Sequence, residues 1–259
     1  SFSVSPFMVF TEGMLAWPPD PEAWSIRWYR NMIGDCSADV VSSTVPCSTK
    51  WMKGTVNSFY IGIIATVIAT ALGTLAALGL SRPHMPYKGL IMAILISPMI
   101  VPLIITAAGM FFFYARINLV YTFTGVILAH VALATPFVVI TVTATLVGFD
   151  MNMVKAAQSL GAKPMRTFFK VIMPLILPGI ISGALFAFIT SFDEVVIVMF
   201  MASIDQLTIP KQMWAGIRQE ISPVILCMAT CLVLLSIFLL TTVELLRRRS
   251  EKLRGIKAR

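Results

Sequence analysis

Five long runs of apolar residues, each almost free of charge, dominate this chain of 259 residues. A helix needs roughly 20 apolar residues to cross the hydrocarbon core of a bilayer. None of the runs shows the strict alternation of a strand in a membrane barrel. The sequence therefore predicts an all-α membrane bundle. Its five predicted spans are Phe59–Leu80, Leu90–Tyr114, Leu119–Val147, Leu175–Met201 and Val224–Leu246.

The basic residues indicate how these spans are oriented. Three alternate linkers, residues 81–89, 148–174 and 247–259, hold 13 Lys and Arg but only two acids. By the positive-inside rule these linkers, and with them the C-terminus, are cytoplasmic. The same clustering favours membrane orientation over nucleic-acid binding as the reason for the net charge of +8. Five spans then place Ser1 outside, so we expect a sixth, N-terminal span to be missing from this numbering.

The pattern divides the chain into three parts. Residues 1–56 are read as the end of a truncated first helix followed by an outer segment, 57–247 as the membrane domain, and 248–259 as a basic tail. In the outer segment, Trp24–Ile33 suits either the lipid headgroup region or the protein's own outer surface. Cys36 and Cys47 either form a disulfide in an oxidising compartment or remain two free thiols.

The cytoplasmic loop 148–174 carries the most specific pattern. Asp150 is a candidate cap for a helix over Met151–Leu160, and Gly161 is a natural stop. Ala157 and Gly161 are four residues apart, which predicts a helical face with almost no side chain, open to close approach by a partner. A second amphipathic piece is predicted to lie at the cytoplasmic membrane surface. Its apolar residues are Met165, Phe168, Phe169 and Ile172.

The run KAAQSLGAKPMRTFFKVIMPLILPG resembles the loop of binding-protein-dependent ABC permeases. The family pattern is matched at Ala156, Ala157, Gly161 and Pro174. Lys155 stands where the family usually has Glu, and Met173 where it usually has Leu. Further segments, including SFDEVVIVMF and LTIPKQMWAGIRQEISP, are similar to the second, C-type permease of the spermidine/putrescine subgroup.

This resemblance implies a type I ABC importer permease in a bacterial inner membrane. It implies that the short helix docks in a groove of a separate ATPase subunit, where ATP and Mg are bound, with no cofactor on this chain. The implied partners are a second permease forming a heterodimer, two ATP-binding subunits and a periplasmic substrate-binding protein. The expected coupling residues are Lys155, Ala156, Ala157, Ser159, Leu160, Gly161 and Ala162.

The sequence contains no pattern of a catalytic site. It has no G-x-x-x-x-G-K-[ST] phosphate loop, no H-E-x-x-H or G-x-S-x-G motif and no Cys/His metal spacing. We therefore expect a non-enzymatic chain without a metal, in which His130 is a packed, hydrogen-bonded residue. The alternative is a secondary transporter or channel subunit, which should show internal repeats or charges in several spans.

Two acids, Asp193 and Glu194, lie in the predicted span Leu175–Met201. Because an ionised carboxylate is costly in lipid, they either line a pathway for a cation or hold helices together by hydrogen bonds. Adjacent residues point about 100° apart on a helix, so one acid is expected to face the pathway. Phe192 or Trp214 could then supply cation–π contacts. The resemblance implies a polyamine substrate or a similar cationic or amino-acid-like compound.

Prolines interrupt two of the predicted spans: Pro98 and Pro102 the second, and Pro136 the third. They either create gates or are ordinary kinks of membrane helices.

Overall fold

The computed structural model describes residues 27–35, 37, 49–82, 85–147, 152–219 and 223–253. Every regular element in these ranges is helical, which confirms the predicted all-α fold class. The α-helices are α1 Arg27–Met32, α2 Lys50–Leu80, α3 Lys88–Ile100, α4 Leu103–Arg116, α5 Phe123–Val147, α6 Asn152–Ser159, α7 Pro164–Thr167, α8 Met173–Phe192, α9 Val196–Met201, α10 Ile209–Gln219 and α11 Pro223–Leu253. A π-helical turn, Phe168–Ile172, joins α7 to α8.

Three continuous helices in the described ranges are long and apolar enough to cross a membrane: Lys50–Leu80, Phe123–Val147 and Pro164–Phe192. The pair α3 and α4 qualifies as a fourth crossing only if the two helices are taken together, because the helix axis bends by 102° between them. The described apolar part of α11 is the shorter stretch Val224–Phe238. Within the described ranges, membrane-length helices are therefore present at three of the five predicted spans, and a bent helix pair lies at a fourth.

The break between α3 and α4 lies at Val101 and Pro102. Pro102 has no backbone N–H, and the residue before a proline is driven away from helical geometry. Val101 accordingly has extended dihedral angles of φ −72° and ψ 137°. The predicted single span Leu90–Tyr114 is thus two helices, whereas Pro136 lies inside the continuous helix α5.

The described chain separates into two compact units, residues 1–58 with 207–259 and residues 59–206. In the second unit α5 is buried along most of its length, and α8 makes the most extensive packing against it. Small residues on α8 make this packing close. A Cβ placed on Gly183 would lie 3.0 Å from Val138 Cα and would overlap Thr141 Oγ1. Gly179 is equally close to Thr145 one turn away.

In the first unit, α1 packs on α11 and buries Trp28 and Asn31. This placement agrees with the interpretation that part of Trp24–Ile33 packs on the protein itself. Trp24 and both cysteines of the predicted disulfide, Cys36 and Cys47, lie outside the described residues. The disulfide therefore stays a prediction.

The start of α10 is held by the N-terminal part of α2, also within the first unit. The backbone N–H of Ile209 donates to Ser58 Oγ at 2.9 Å, and Asn57 Nδ2 donates to the Leu207 carbonyl at 2.9 Å. The first N–H groups of a helix lack intrahelical partners. Ser58 therefore caps α10 from a position 151 residues earlier in the chain.

Candidate functional site

The two predicted pathway acids lie at a break between helices. α8 ends at Phe192, and the Asp193 N–H donates to the Ile189 carbonyl at 3.0 Å as the last helical hydrogen bond. The next helix, α9, begins only at Val196. The prediction of one continuous helix over Leu175–Met201 is therefore wrong. The apolar run did not reveal the break, because it contains no Gly or Pro near Asp193.

The break gives the two carboxylates different environments. Glu194 is buried, with 7% of its surface exposed, and its Oε1 accepts the backbone N–H of Ile197 at 2.9 Å. This bond supplies a partner to a first-turn N–H of α9 that the helix itself cannot pair. Asp193 is exposed. Glu194 is therefore a hydrogen-bonded acid that caps the start of α9, three residues along the chain, whereas Asp193 is open to its surroundings. The pathway role of either acid stays a prediction.

Three phenyl rings form a cluster, and one of them belongs to Phe192, the residue before Asp193. The Phe192 ring centroid lies 5.2 Å from that of Phe59 and 5.4 Å from that of Phe188. Phe59 and Phe188 are 6.3 Å apart, so all three rings are neighbours. Of these three residues, only Phe192 is predicted from the sequence. The spacing of Phe188 and Phe192, four residues apart on α8, could have indicated the pair, but nothing local indicates Phe59 on α2.

His130, on α5, is almost fully buried. Its Nδ1 is 2.7 Å from Ser191 Oγ, which joins α5 to the last turn of α8. This agrees with the expectation that His130 is a packed, hydrogen-bonded residue. Within the part of the chain that the structure describes, no three His, Cys, Asp or Glu side chains come together as metal ligands.

Trp214, the other aromatic residue predicted for the pathway, is on α10 and belongs to the first compact unit. Its side chain is about half exposed, at 47%. Its role stays a prediction.

The predicted coupling helix is present as α6, and none of its residues is buried. Gly161 ends the helix with φ +79°, a conformation that glycine adopts without strain. The N–H groups of Ala162 and Gly161 donate to the carbonyls of Ala157 and Gln158 at 3.0 and 2.9 Å, the pattern of a Schellman motif. Gly161 has thus left the helical path, and the prediction that it shares a helical face with Ala157 is wrong.

The surface around the end of α6 is nonetheless open. Leu160 is 89% exposed, and a Cβ added at Gly161 would meet no atom within 4 Å. Of the remaining coupling residues, Lys155, Ala156 and Ser159 are exposed, and Ala157 and Ala162 are half-buried. No described residue therefore covers Leu160 or the backbone beside it.

Residues 57–252 match the family described as the inner membrane component of binding-protein-dependent transport systems. The match covers most of the chain and includes the helix break, the aromatic cluster and α6. The chain belongs to this family. It is therefore a membrane-embedded subunit of an ABC importer, a transport permease and not a catalytic enzyme.

Characterised permeases are similar along most of their length. The spermidine/putrescine transport system permease protein PotC of Haemophilus influenzae is 29% identical over 200 residues, which cover 77% of this chain and 78% of that protein. PotC of Escherichia coli K12 is 27% identical, covering 79% and 81%. The putrescine transport system permease protein PotI of Escherichia coli K12 is 29% identical, covering 80% and 72%.

Solved structures with a similar fold are also importer permeases. A chain of a bacterial ABC transporter involved in the import of the acidic polysaccharide alginate superposes with a TM-score of 0.70 at 13% identity, covering 92% of the permease and 86% of that chain. A chain of the inward-facing MetNI methionine ABC transporter gives 0.57 at 19% identity, covering 80% and 96%. At these identities the similarity establishes the type I importer fold alone.

Proposed function

We propose that the permease forms part of the translocation pathway for a polyamine such as spermidine or putrescine. The observation that carries this proposal is the exposed carboxylate of Asp193, which directly follows the phenyl cluster of Phe59, Phe188 and Phe192. Polyamines carry ammonium groups separated by short methylene chains. A carboxylate attracts the ammonium groups, and aromatic faces accept both the cation and the adjacent methylenes.

The relatives' substrates support this choice of cation. The permeases with 27–29% identity serve spermidine and putrescine systems. A hydrogen bond to a charged group contributes about 1.5–3 kcal/mol, and a cation–π contact about 0.5–2 kcal/mol depending on desolvation. Together these energies suffice for a transient site on a pathway, which must bind its solute weakly enough to release it.

The transport test compares three acid-to-amide variants in the reconstituted complex. Asp193→Asn removes the proposed attraction, and we expect the initial rate of putrescine uptake into proteoliposomes to fall about tenfold, corresponding to about 1.4 kcal/mol. Glu194→Gln should transport normally, because glutamine still offers Oε1 to the Ile197 N–H. Asp205→Asn is the matched control, since Asp205 is also an exposed acid.

Equal uptake by Asp193→Asn and Asp205→Asn would overturn the role of Asp193. Loss of uptake in Glu194→Gln, with Asp193→Asn unaffected, would reverse the assignment of the two acids.

We further propose that α6 couples the permease to a separate ATPase subunit that binds ATP and Mg. The support is the exposed end of α6 around Leu160 and Gly161, on the side predicted to be cytoplasmic. ATP binding and hydrolysis on that subunit would then shift the helices between inward- and outward-facing states. A second permease, an external binding protein and a cytoplasmic C-terminus belong to the same proposal.

Co-purification tests the coupling. Leu160→Glu places a charge in the proposed contact and should abolish recovery of the ATPase with the tagged permease. Ile204→Glu is the matched control, because Ile204 is an equally exposed apolar residue, at 86%, in a loop on the predicted outer side. Retention of the ATPase by Leu160→Glu would refute docking through α6.

A further inference from the structure

A short basic segment, Lys163–Lys170, precedes the apolar part of the long helix that runs from Pro164 to Phe192. Lys163, Arg166 and Lys170 are all exposed. Two large apolar side chains beside them, Met165 and Phe169, are 69% and 56% exposed. Thr167, in the same segment, is buried, so its side of the segment faces the protein. The segment therefore presents a basic row and an apolar row to whatever surrounds the permease.

The length of the helix places this segment at the edge of the bilayer. The helix Pro164–Phe192 has 29 residues, which at 1.5 Å each extend about 43 Å. The hydrocarbon core is only about 30 Å thick. Residues 171–192 carry no charge and are enough to cross it, whereas both charges of the helix lie before residue 171. The excess length, and with it the basic segment, therefore lies in the headgroup layer.

The π-helical turn Phe168–Ile172 joins the basic segment to the spanning part of the same helix. Pro174 has no N–H, and its ring would meet a carbonyl one turn earlier in a regular helix. A locally wider turn accommodates such a proline without ending the helix. The basic segment consequently continues along the axis of the spanning helix, and its depth in the membrane is set by that span.

We propose that the basic segment is a binding site for the phosphate headgroups of anionic lipids in the cytoplasmic leaflet. Arg166 and Lys170 are four residues apart and supply adjacent cations to the phosphates, while Met165 and Phe169 contact the upper acyl chains. No acidic residue occurs anywhere between residues 151 and 192. Nothing along this stretch of the chain therefore competes with the lipid for the cations.

Native mass spectrometry of the detergent-purified transporter, titrated with phosphatidylglycerol or phosphatidylcholine, tests this site. We expect preferential binding of phosphatidylglycerol by the parent protein. The pair Arg166→Gln with Lys170→Gln should lower that affinity roughly 25-fold, at about fivefold per charge. The swapped pair Arg166→Lys with Lys170→Arg keeps both charges, and it should bind like the parent if it elutes as the same monodisperse complex.

Arg116→Gln with Arg218→Gln is the matched control, because it removes the same charge from two exposed residues on separate helices. It should leave phosphatidylglycerol binding unchanged. The proposal is overturned if the two glutamine pairs weaken binding equally, or if the parent does not prefer phosphatidylglycerol. It is also overturned if the Arg166→Gln/Lys170→Gln protein keeps its lipid but loses the ATPase, since the cations would then serve a protein contact. This test does not depend on the substrate proposed above.

Discussion

Replacing Gly183 by alanine should weaken the packing of α8 on α5. The added Cβ would lie 3.0 Å from Val138 Cα and would overlap Thr141 Oγ1. Carbon atoms in contact are normally about 3.5–4.0 Å apart. Val138 Cα is part of the backbone and cannot rotate away, so the two helices must separate by about 0.5–1 Å.

The cost of this separation follows from the lost dispersion contacts. A gap of 0.5–1 Å removes roughly a quarter to a half of the attractive energy of each atom–atom contact, and a contact at its optimal distance contributes about 0.1–0.2 kcal/mol. An interface of about 40 atom pairs, the number made by one buried leucine, then loses about 2 kcal/mol. This agrees with the range of about 1–3 kcal/mol for overpacked cores. A loss of about 2 kcal/mol corresponds to roughly a thirtyfold change in the folding equilibrium constant.

Equilibrium unfolding in mixed detergent micelles, followed by circular dichroism, would measure the effect. Gly109→Ala is the control, because a Cβ added at Gly109 on α4 would meet nothing within 4 Å. Both variants share the higher helix propensity of alanine, about 1 kcal/mol, so their difference isolates the packing cost. The reasoning fails if Gly183→Ala is as stable as Gly109→Ala. Adding Thr141→Ala to Gly183→Ala should restore part of the lost stability, because it removes the hydroxyl that the new Cβ overlaps.

Three further predictions concern the first unit. Ser58→Ala removes the cap of α10 and should lower the free energy of unfolding by about 1 kcal/mol; an unchanged denaturation midpoint would contradict the cap. If Cys36 and Cys47 form the predicted disulfide, the alkylated, unreduced chain should carry labels at the free thiols Cys227 and Cys231 alone, whereas labels on the peptides that contain Cys36 and Cys47 would exclude it. Hydrogen bonds from Ser37 hold the pKa of the Asp35 carboxyl below its usual range. The stability that this carboxylate contributes is therefore present above about pH 4 and lost as the pH falls through the lower, folded pKa. Amide protection in α1, normalised to peptide rates, should show this loss in the parent and not in Asp35→Asn.

Local sequence determined most of the helices, because their causes lie within a few residues. Apolar runs of sufficient length must form hydrogen-bonded helices in lipid, and Gly161 and Pro102 end helices through their own backbone properties. The family-like loop was equally visible, since its short helix and glycine stop are encoded by consecutive residues.

Tertiary structure alone decided the arrangement at the helix break. Asp193 and Glu194 are adjacent carboxylates of similar chemistry, yet one is exposed and the other is buried against the first turn of α9. Phe59 joins Phe188 and Phe192 across more than 120 residues of sequence, and Ser58 caps a helix 151 residues later. Such contacts depend on which helices pack together, and the free energy of that packing is spread over many distant residues. No window of the sequence contains it.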